Sequence, residues 1–154
     1  MHEMRRKKQA MTEEEARQAL DQAEYGVLAT VGEDGYPYAV PVNHALHGDR
    51  LYVHCAQAGH KLDNLAFEAR VSYCVVTLAE VKPRELSTRY RSVVVFGRAE
   101  RVQDPGEKRE ALEQIGHRFC RGFEAEVEKA IREEGQRTTV LRISIERMTG
   151  KTHD

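Results

Sequence analysis

The sequence predicts a mainly β domain with helices, an α+β chain built as a small antiparallel barrel of six strands under covering helices. Six segments rich in β-branched and apolar residues are punctuated by glycine-containing turn signals. Helical patterns are inserted between some of these segments and supply the covers. The strands are long and few, which favours a barrel over a pure sandwich. With 154 residues the chain suits one domain and can bury a core. Residues 1–11 read as a basic N-terminal tail and residues 12–154 as the domain.

Thr12 followed by Glu15 is a capping-box signature, and Ala16, Leu20 and Ala23 recur at helical spacing, so residues 12–24 form a short amphipathic helix. Tyr25–Val31 is the first strand. Asp34-Gly35 supplies the positive φ of a tight hairpin, and residues Tyr36–Leu46 return as the second strand, with Pro37 and Pro41 confining it to an edge or a bulge. His47-Gly48-Asp49 is a second turn and Arg50–Cys55 the third strand. Lys61–Glu68 carries Leu62, Leu65 and Ala66 on one helical face. Arg70–Leu78 and Arg91–Val102 are strands separated by a polar connector containing Pro83. Asp104-Pro105 pairs a cap with a proline at the first helical position, and the helical pattern runs to about Glu134 with a break near Gly116 or Gly122. Residues Thr138–Met148 alternate as the last strand.

Lys and Arg total 24 against 25 Asp and Glu, so no overall charge steers the chain to nucleic acid or to a membrane surface. The Arg5–Lys8 run is a local patch, a solvated tail or a strap across a neighbour. No apolar run approaches the ~18 residues of a membrane span. Cys55, Cys74 and Cys120 are odd in number and lack CxxC spacing, which fits free thiols in a reducing cytoplasm. His44 with His47, or His117 with Cys120, are possible ligand pairs, but no four-ligand spacing exists and no metal is expected. Nucleophile-elbow, Walker and Rossmann patterns are also absent.

Three segments carry the candidate chemistry. Leu51–Leu65, LYVHCAQAGHKLDNL, runs from a strand through Gly59 into a helix. That layout puts His60, Lys61 and unpaired backbone N–H groups where an anion such as a phosphate is favoured. A solvent-facing pair at an ordinary helix start is the competing reading. In Val40–His44, Asn43 offers the donor and acceptor atoms that a heterocycle edge requires; an edge strand with a polar outward residue accounts for it equally. In Thr88–Gly97, Arg and Ser side chains precede an apolar strand and suit an anion or a ring edge, or simply a solvated strand entry.

Taken in order, YGVLATVGEDGYPYAVPVNH, LYVHCAQAGHKLDNL and YRSVVVFGRAERV resemble the nitroimidazole-resistance branch of the pyridoxamine 5′-phosphate oxidase-like flavoproteins. The resemblance covers nearly the whole chain. It implies a split β-barrel homodimer with FMN bound at the subunit interface. By that similarity His54, Cys55 and Ala56 line the flavin, and His60 and Lys61 sit at the phosphate end or near the ring. Val42 and Asn43 face the isoalloxazine edge, and Arg91, Ser92 and Val93 close the site, from the partner subunit if not from their own. His60 matches the family's GHK histidine and becomes the expected proton donor. Cys55 stands where this branch commonly has Ser, and His44 where an aromatic is common.

The expected activity is reduction of a small electron-poor substrate by an FMN-dependent, nitroreductase-like enzyme, with NAD(P)H as a possible reductant. The alternatives are a flavin- or heme-binding protein that stores or senses its ligand without turnover, and a protein holding a deazaflavin or pyridoxal phosphate in the same groove.

Overall fold

Capping and turn chemistry set the element boundaries in the computed structural model, which describes residues 4–153. Residues 1–3 of the expected tail lie outside the described residues. The Thr12 capping box opens α1 (Glu13–Gln22): Glu15 N–H donates to Thr12 Oγ1 at 3.2 Å, and Thr12 N–H donates to Glu15 Oε2 at 2.7 Å. Strands β1 (Gly26–Val31) and β2 (Pro37–Val42) form a hairpin in which Gly35 takes φ +78°. Strands β3 (Ala45–His47) and β4 (Arg50–Cys55) form another around Gly48, at φ +56°. Helix α2 (His60–Phe67) leads to the long hairpin of β5 (Arg70–Lys82) and β6 (Ser87–Arg101). Asp104 caps α3 (Pro105–Phe119) by accepting from Glu107 N–H at 2.7 Å, and α4 (Glu124–Glu134) and β7 (Thr139–His153) complete the chain.

There are seven strands rather than the expected six. The predicted strand over 36–46 divides at Asn43-His44, because both side chains turn away to bind backbone carbonyls at the C-terminal end of α1. Asn43 Nδ2 donates to the Glu24 carbonyl at 2.7 Å, and His44 Nε2 lies 2.7 Å from the Leu20 carbonyl oxygen. The β5–β6 ribbon also outruns the prediction by four residues on each strand, turning at Pro83–Glu85 and pairing Glu80 with Arg89 across the ladder. The helical break falls in the turn containing Gly122, at φ +84°, between α3 and α4.

All pairings are antiparallel, in the order β2-β1-β5-β6-β7-β4-β3. Strands β2 and β3 are the two edges of the sheet, yet only Asn43 and His44 separate them along the chain. Three peptide steps span at most about 11 Å, whereas seven strands laid flat would extend about 29 Å between outer strands. The sheet therefore curls until its edges nearly meet at this corner, and covalent continuity rather than a ladder bridges them. That is the split-barrel type of architecture.

Strand pleating divides the interior into two cores. Leu51 and Val53 of β4 join Leu28, Tyr73, Val75, Val93 and Val95 inside the curl, covered by Ala16, Ala19 and Leu20 of α1. Tyr52 points the other way, to Ala111 and Ile115 of α3 and Val140 of β7. Glu107 pins α3 there: it accepts from Tyr52 Oη at 2.8 Å and from Arg142 Nη1 at 2.9 Å, contacts that hold its carboxyl below the usual pKa. Ala10 bridges Lys151, so the segment before α1 lies along β7.

Candidate functional site

The junction between β4 and α2 gathers the charged groups. Gly59 takes φ +144°, a region that disfavours a side chain, and no side chain caps the first N–H groups of α2. Lys61 stands in that first turn. Its ammonium and the Arg101 guanidinium at the end of β6 both act on the Cys55 thiol, and burial outweighs them and raises the thiol pKa. Arg101 Nη2 also reaches the Gln57 carbonyl at 3.5 Å. Neither cation has an ion-pair partner among the described residues. Two cations without an ion-pair partner, against the single acidic residue of that turn, Asp63, leave a net positive helix start that favours an anion.

The imidazole of His60 packs on the Tyr38 ring of β2, with centroids 4.0 Å apart and planes inclined by 32°. Helix α2 is held over β1 by Asn64, which is buried and donates to Thr30 Oγ1 at 3.0 Å. His60 itself stays exposed.

Other expected site residues are distributed by the pleat. Cys55 packs against the barrel core, whereas His54, one residue earlier, faces α3 and α4. Their side chains therefore cannot line one face together. Desolvation lowers the pKa of His54, which makes no hydrogen bond among the described residues. Ala56 is exposed in the connector. Val42 packs on the barrel core, its carbonyl facing the Tyr73 hydroxyl at 3.0 Å, and the side-chain amide of Asn43 is spent on Glu24.

Arg91, Ser92 and Val93 lie at the far end of β6. Arg101 marks the near end, ten residues on, about 33 Å of extended strand. Val93 is fully buried in the core, Arg91 lies beside Gln18 and Gln22 of α1, and Ser92 faces outward. Within one chain this trio does not meet the β4–α2 junction. Sequence reasoning passed over Arg101 and Tyr38, which the fold brings to that junction from remote strands. Arg101 belongs to the YRSVVVFGRAERV segment, but no spacing links it to Lys61.

His44 is no ligand. It is fully buried, with Nε2 on the Leu20 carbonyl and Nδ1 2.8 Å from the Tyr73 hydroxyl, and burial lowers its pKa to about 4. Because a carbonyl only accepts, Nε2 carries the proton and Nδ1 accepts from Tyr73. Among the described residues no three His, Cys, Asp or Glu side chains converge as metal ligands would.

A family model described as pyridoxamine 5′-phosphate oxidase matches residues 12–152. The chain belongs to this family. Among solved structures, the FAD and heme binding protein from Mycobacterium smegmatis is 30% identical with a TM-score of 0.82, over 96% of this chain and 74% of that one. The flavocytochrome Anf3 from Azotobacter vinelandii is 23% identical with a TM-score of 0.81, over 99% and 73%. A proposed 5-nitroimidazole antibiotic resistance protein from Bacteroides thetaiotaomicron is 23% identical with a TM-score of 0.75, over 92% and 85%. No curated protein matches the chain. Membership of the pyridoxamine 5′-phosphate oxidase family agrees with the curled, edge-open sheet, and none of the described helices is long and apolar enough to cross a membrane.

Proposed function

We propose that this chain is an FMN-binding oxidoreductase of the nitroimidazole-reductase-like type, acting as a cytoplasmic homodimer on a small electron-poor substrate, with NAD(P)H as reductant. The observation that carries the reading is the pair of cations without an ion-pair partner, Lys61 and Arg101, at the uncapped start of α2. A phosphate monoester fits there: Lys61 offers a point charge, Arg101 a fork of donors, and the helix start its free N–H groups. The flavin, when bound, supplies the redox chemistry. His60, exposed and packed on Tyr38, holds a proton for the substrate and is the catalytic candidate.

The dimer rests on the outer face of the sheet. Val27, Cys74, Val94 and Thr149 stand abreast across β1, β5, β6 and β7, flanked by Val76 and Phe96. Val76 is 56% exposed and Phe96 36%, an apolar face suited to a second copy. Ser92 shares that face, so Ser92 of a second copy is the member of the Arg91–Val93 trio placed to reach the groove, while Arg91 faces α1 of its own chain.

Retention of a flavin or heme without turnover is the second reading, favoured by the likeness to the FAD and heme binding protein from Mycobacterium smegmatis. Absorbance and mass spectrometry of the purified protein distinguish the ligands: FMN supports the first reading, whereas a Soret band or no chromophore opposes it. With FMN bound, His60→Ala is expected to slow NAD(P)H-driven reduction of a nitroaromatic roughly 10²-fold without loss of flavin. An unchanged rate removes His60 from the mechanism.

A further inference from the structure

Arg91 faces α1 rather than the β4–α2 junction, and it lines a cavity that the phosphate site does not use. The cavity, about 340 Å³, lies between α1 and strands β5, β6 and β7, and its polar lining includes Glu15, Gln18, Thr77, Arg91 and Thr152. Its volume is at the low end of small-ligand pockets, roughly 300–1,000 Å³, which restricts the occupant to a small molecule.

The ladder sets three of these residues in a row. Arg91 and Thr152 are directly opposite across β6 and β7, so both side chains project to the same face. On the other side of Arg91 the register shifts: Val76 pairs with Ser92 and Leu78 with Arg91, leaving Thr77 as the extra residue of a bulge. A bulge re-aims its side chain, and here Thr77 joins the cavity lining. Thr152 Oγ1 is buried with no hydrogen-bond partner, and Arg91 has no ion-pair partner among the described residues. A buried hydroxyl without a partner is costly, and an acceptor placed among Thr77, Arg91 and Thr152 removes that cost.

The helix wall has the opposite character. Gln18 spends its amide nitrogen on Glu14, which leaves Oε1 as an acceptor. The Glu15 carboxylate keeps acceptor capacity beyond its one bond from the Thr12 N–H. Glu15 and Arg91 line one cavity yet form no ion pair, so an anion alone would face Glu15 and a cation alone would face Arg91. A molecule that carries both charges satisfies both walls, and Met11 and Ala19 offer it a small apolar surface.

We propose that this cavity binds a zwitterionic α-amino acid with a short apolar side chain, its carboxylate on Arg91, Thr77 and Thr152 and its ammonium on Glu15 and Gln18. The side chain then lies against Met11 and Ala19. Such a ligand ties α1 to three strands at once, at the end of β6 remote from Lys61, so the inference stands apart from the flavin reading.

The test is calorimetric titration of L-valine into the full-length protein, with isovalerate and isobutylamine as probes that lack the ammonium and the carboxylate respectively. Saturable binding of L-valine is expected, about tenfold or more tighter than either probe, and Arg91→Gln is expected to weaken it by a similar factor. Glu15→Gln retains a residue suited to the capping box and is expected to weaken L-valine but not isovalerate. Thr152→Val is expected to weaken L-valine about fivefold, the worth of one hydrogen bond, with no fall in the ligand-free Tm because the hydroxyl has no partner to lose. If Thr152→Val does not fold, Thr77→Val must weaken L-valine to the same extent. No saturable binding of L-valine by the folded wild type overturns the proposal, as does an affinity that Arg91→Gln leaves unchanged. Isovalerate binding as tightly as L-valine makes this a plain anion site and overturns it too. None of these readouts involves flavin, so a protein that lacks flavin and binds L-valine in this pattern loses only the flavin reading.

Discussion

At the scale of single residues, His44 shows how a buried side chain serves the site without touching it. Its ring ties the end of α1 to the β2–β3 corner and to Tyr73 of β5, and so fixes the corner that presents Asn43. The folded pKa, about 4, lies below the ordinary value of 6.5. Unfolded chains therefore take up the proton first, so the contribution is fully present above about pH 6.5 and is lost as pH falls towards 4. The full loss is about 3 kcal/mol at 1.36 kcal/mol per unit. Urea midpoints measured between pH 7 and 4 are expected to fall for the wild type and to be flatter for His44→Gln. Parallel slopes in the two proteins would contradict this account. Motif reading singled out His44 as a departure from the family's aromatic, but its partners lie 24 and 29 positions away and were invisible in a linear scan.

At the scale of elements, the crossing of β6 and β7 is the tightest constraint. A register shift occurs at Phe96/Gly97, and a Cβ on Gly97 would meet the Ser144 backbone carbonyl, which cannot rotate aside as a side chain would. Gly97→Ala is expected to destabilise the fold by about 2–3 kcal/mol, read as a lower Tm with unchanged far-UV circular dichroism. A Tm within a degree of the wild type would mean that the ladder relaxes around the methyl. Element starts were legible because their chemistry is local: Thr12 with Glu15, Asp104 with Pro105, and glycines at positive φ in the turns. The division of the second strand was not, since it depends on carbonyls of Leu20 and Glu24 that only the packed helix presents.

At the scale of the whole molecule, the proposed dimer rests on the outer face of β1, β5 and β6. Sedimentation is expected to give twice the 17.6 kDa chain mass. Val94→Glu, placing a charge at the centre of that face, is expected to yield monomers that lose flavin, because Arg91 and Ser92 lie too far from Lys61 to close the groove in their own chain. A Val94→Glu monomer that keeps its flavin would sink the interface model. Lys61→Ala and Arg101→Ala are expected to weaken flavin binding by about tenfold each, with a non-additive loss in the double variant if both hold the same phosphate. Equal affinity in Arg101→Ala would leave Lys61 and the helix start as the whole anion site.

The sequence by itself determined the mainly β class, the caps, the hairpin turns and the β4–α2 junction, since each depends on neighbours within a few residues along the chain. It also placed Gly59 and Lys61 together, because a strand that turns at glycine into a helix carries its own anion-binding geometry. Only the tertiary structure decided that Arg101 joins Lys61, that Tyr38 backs His60, that His54 and Cys55 part to opposite faces, and that Arg91–Val93 stands a strand's length away. Those relations come from strand order and from how far the sheet curls. Both are set by packing the two cores against α1 and α3, a balance of contacts between residues that no local spacing records.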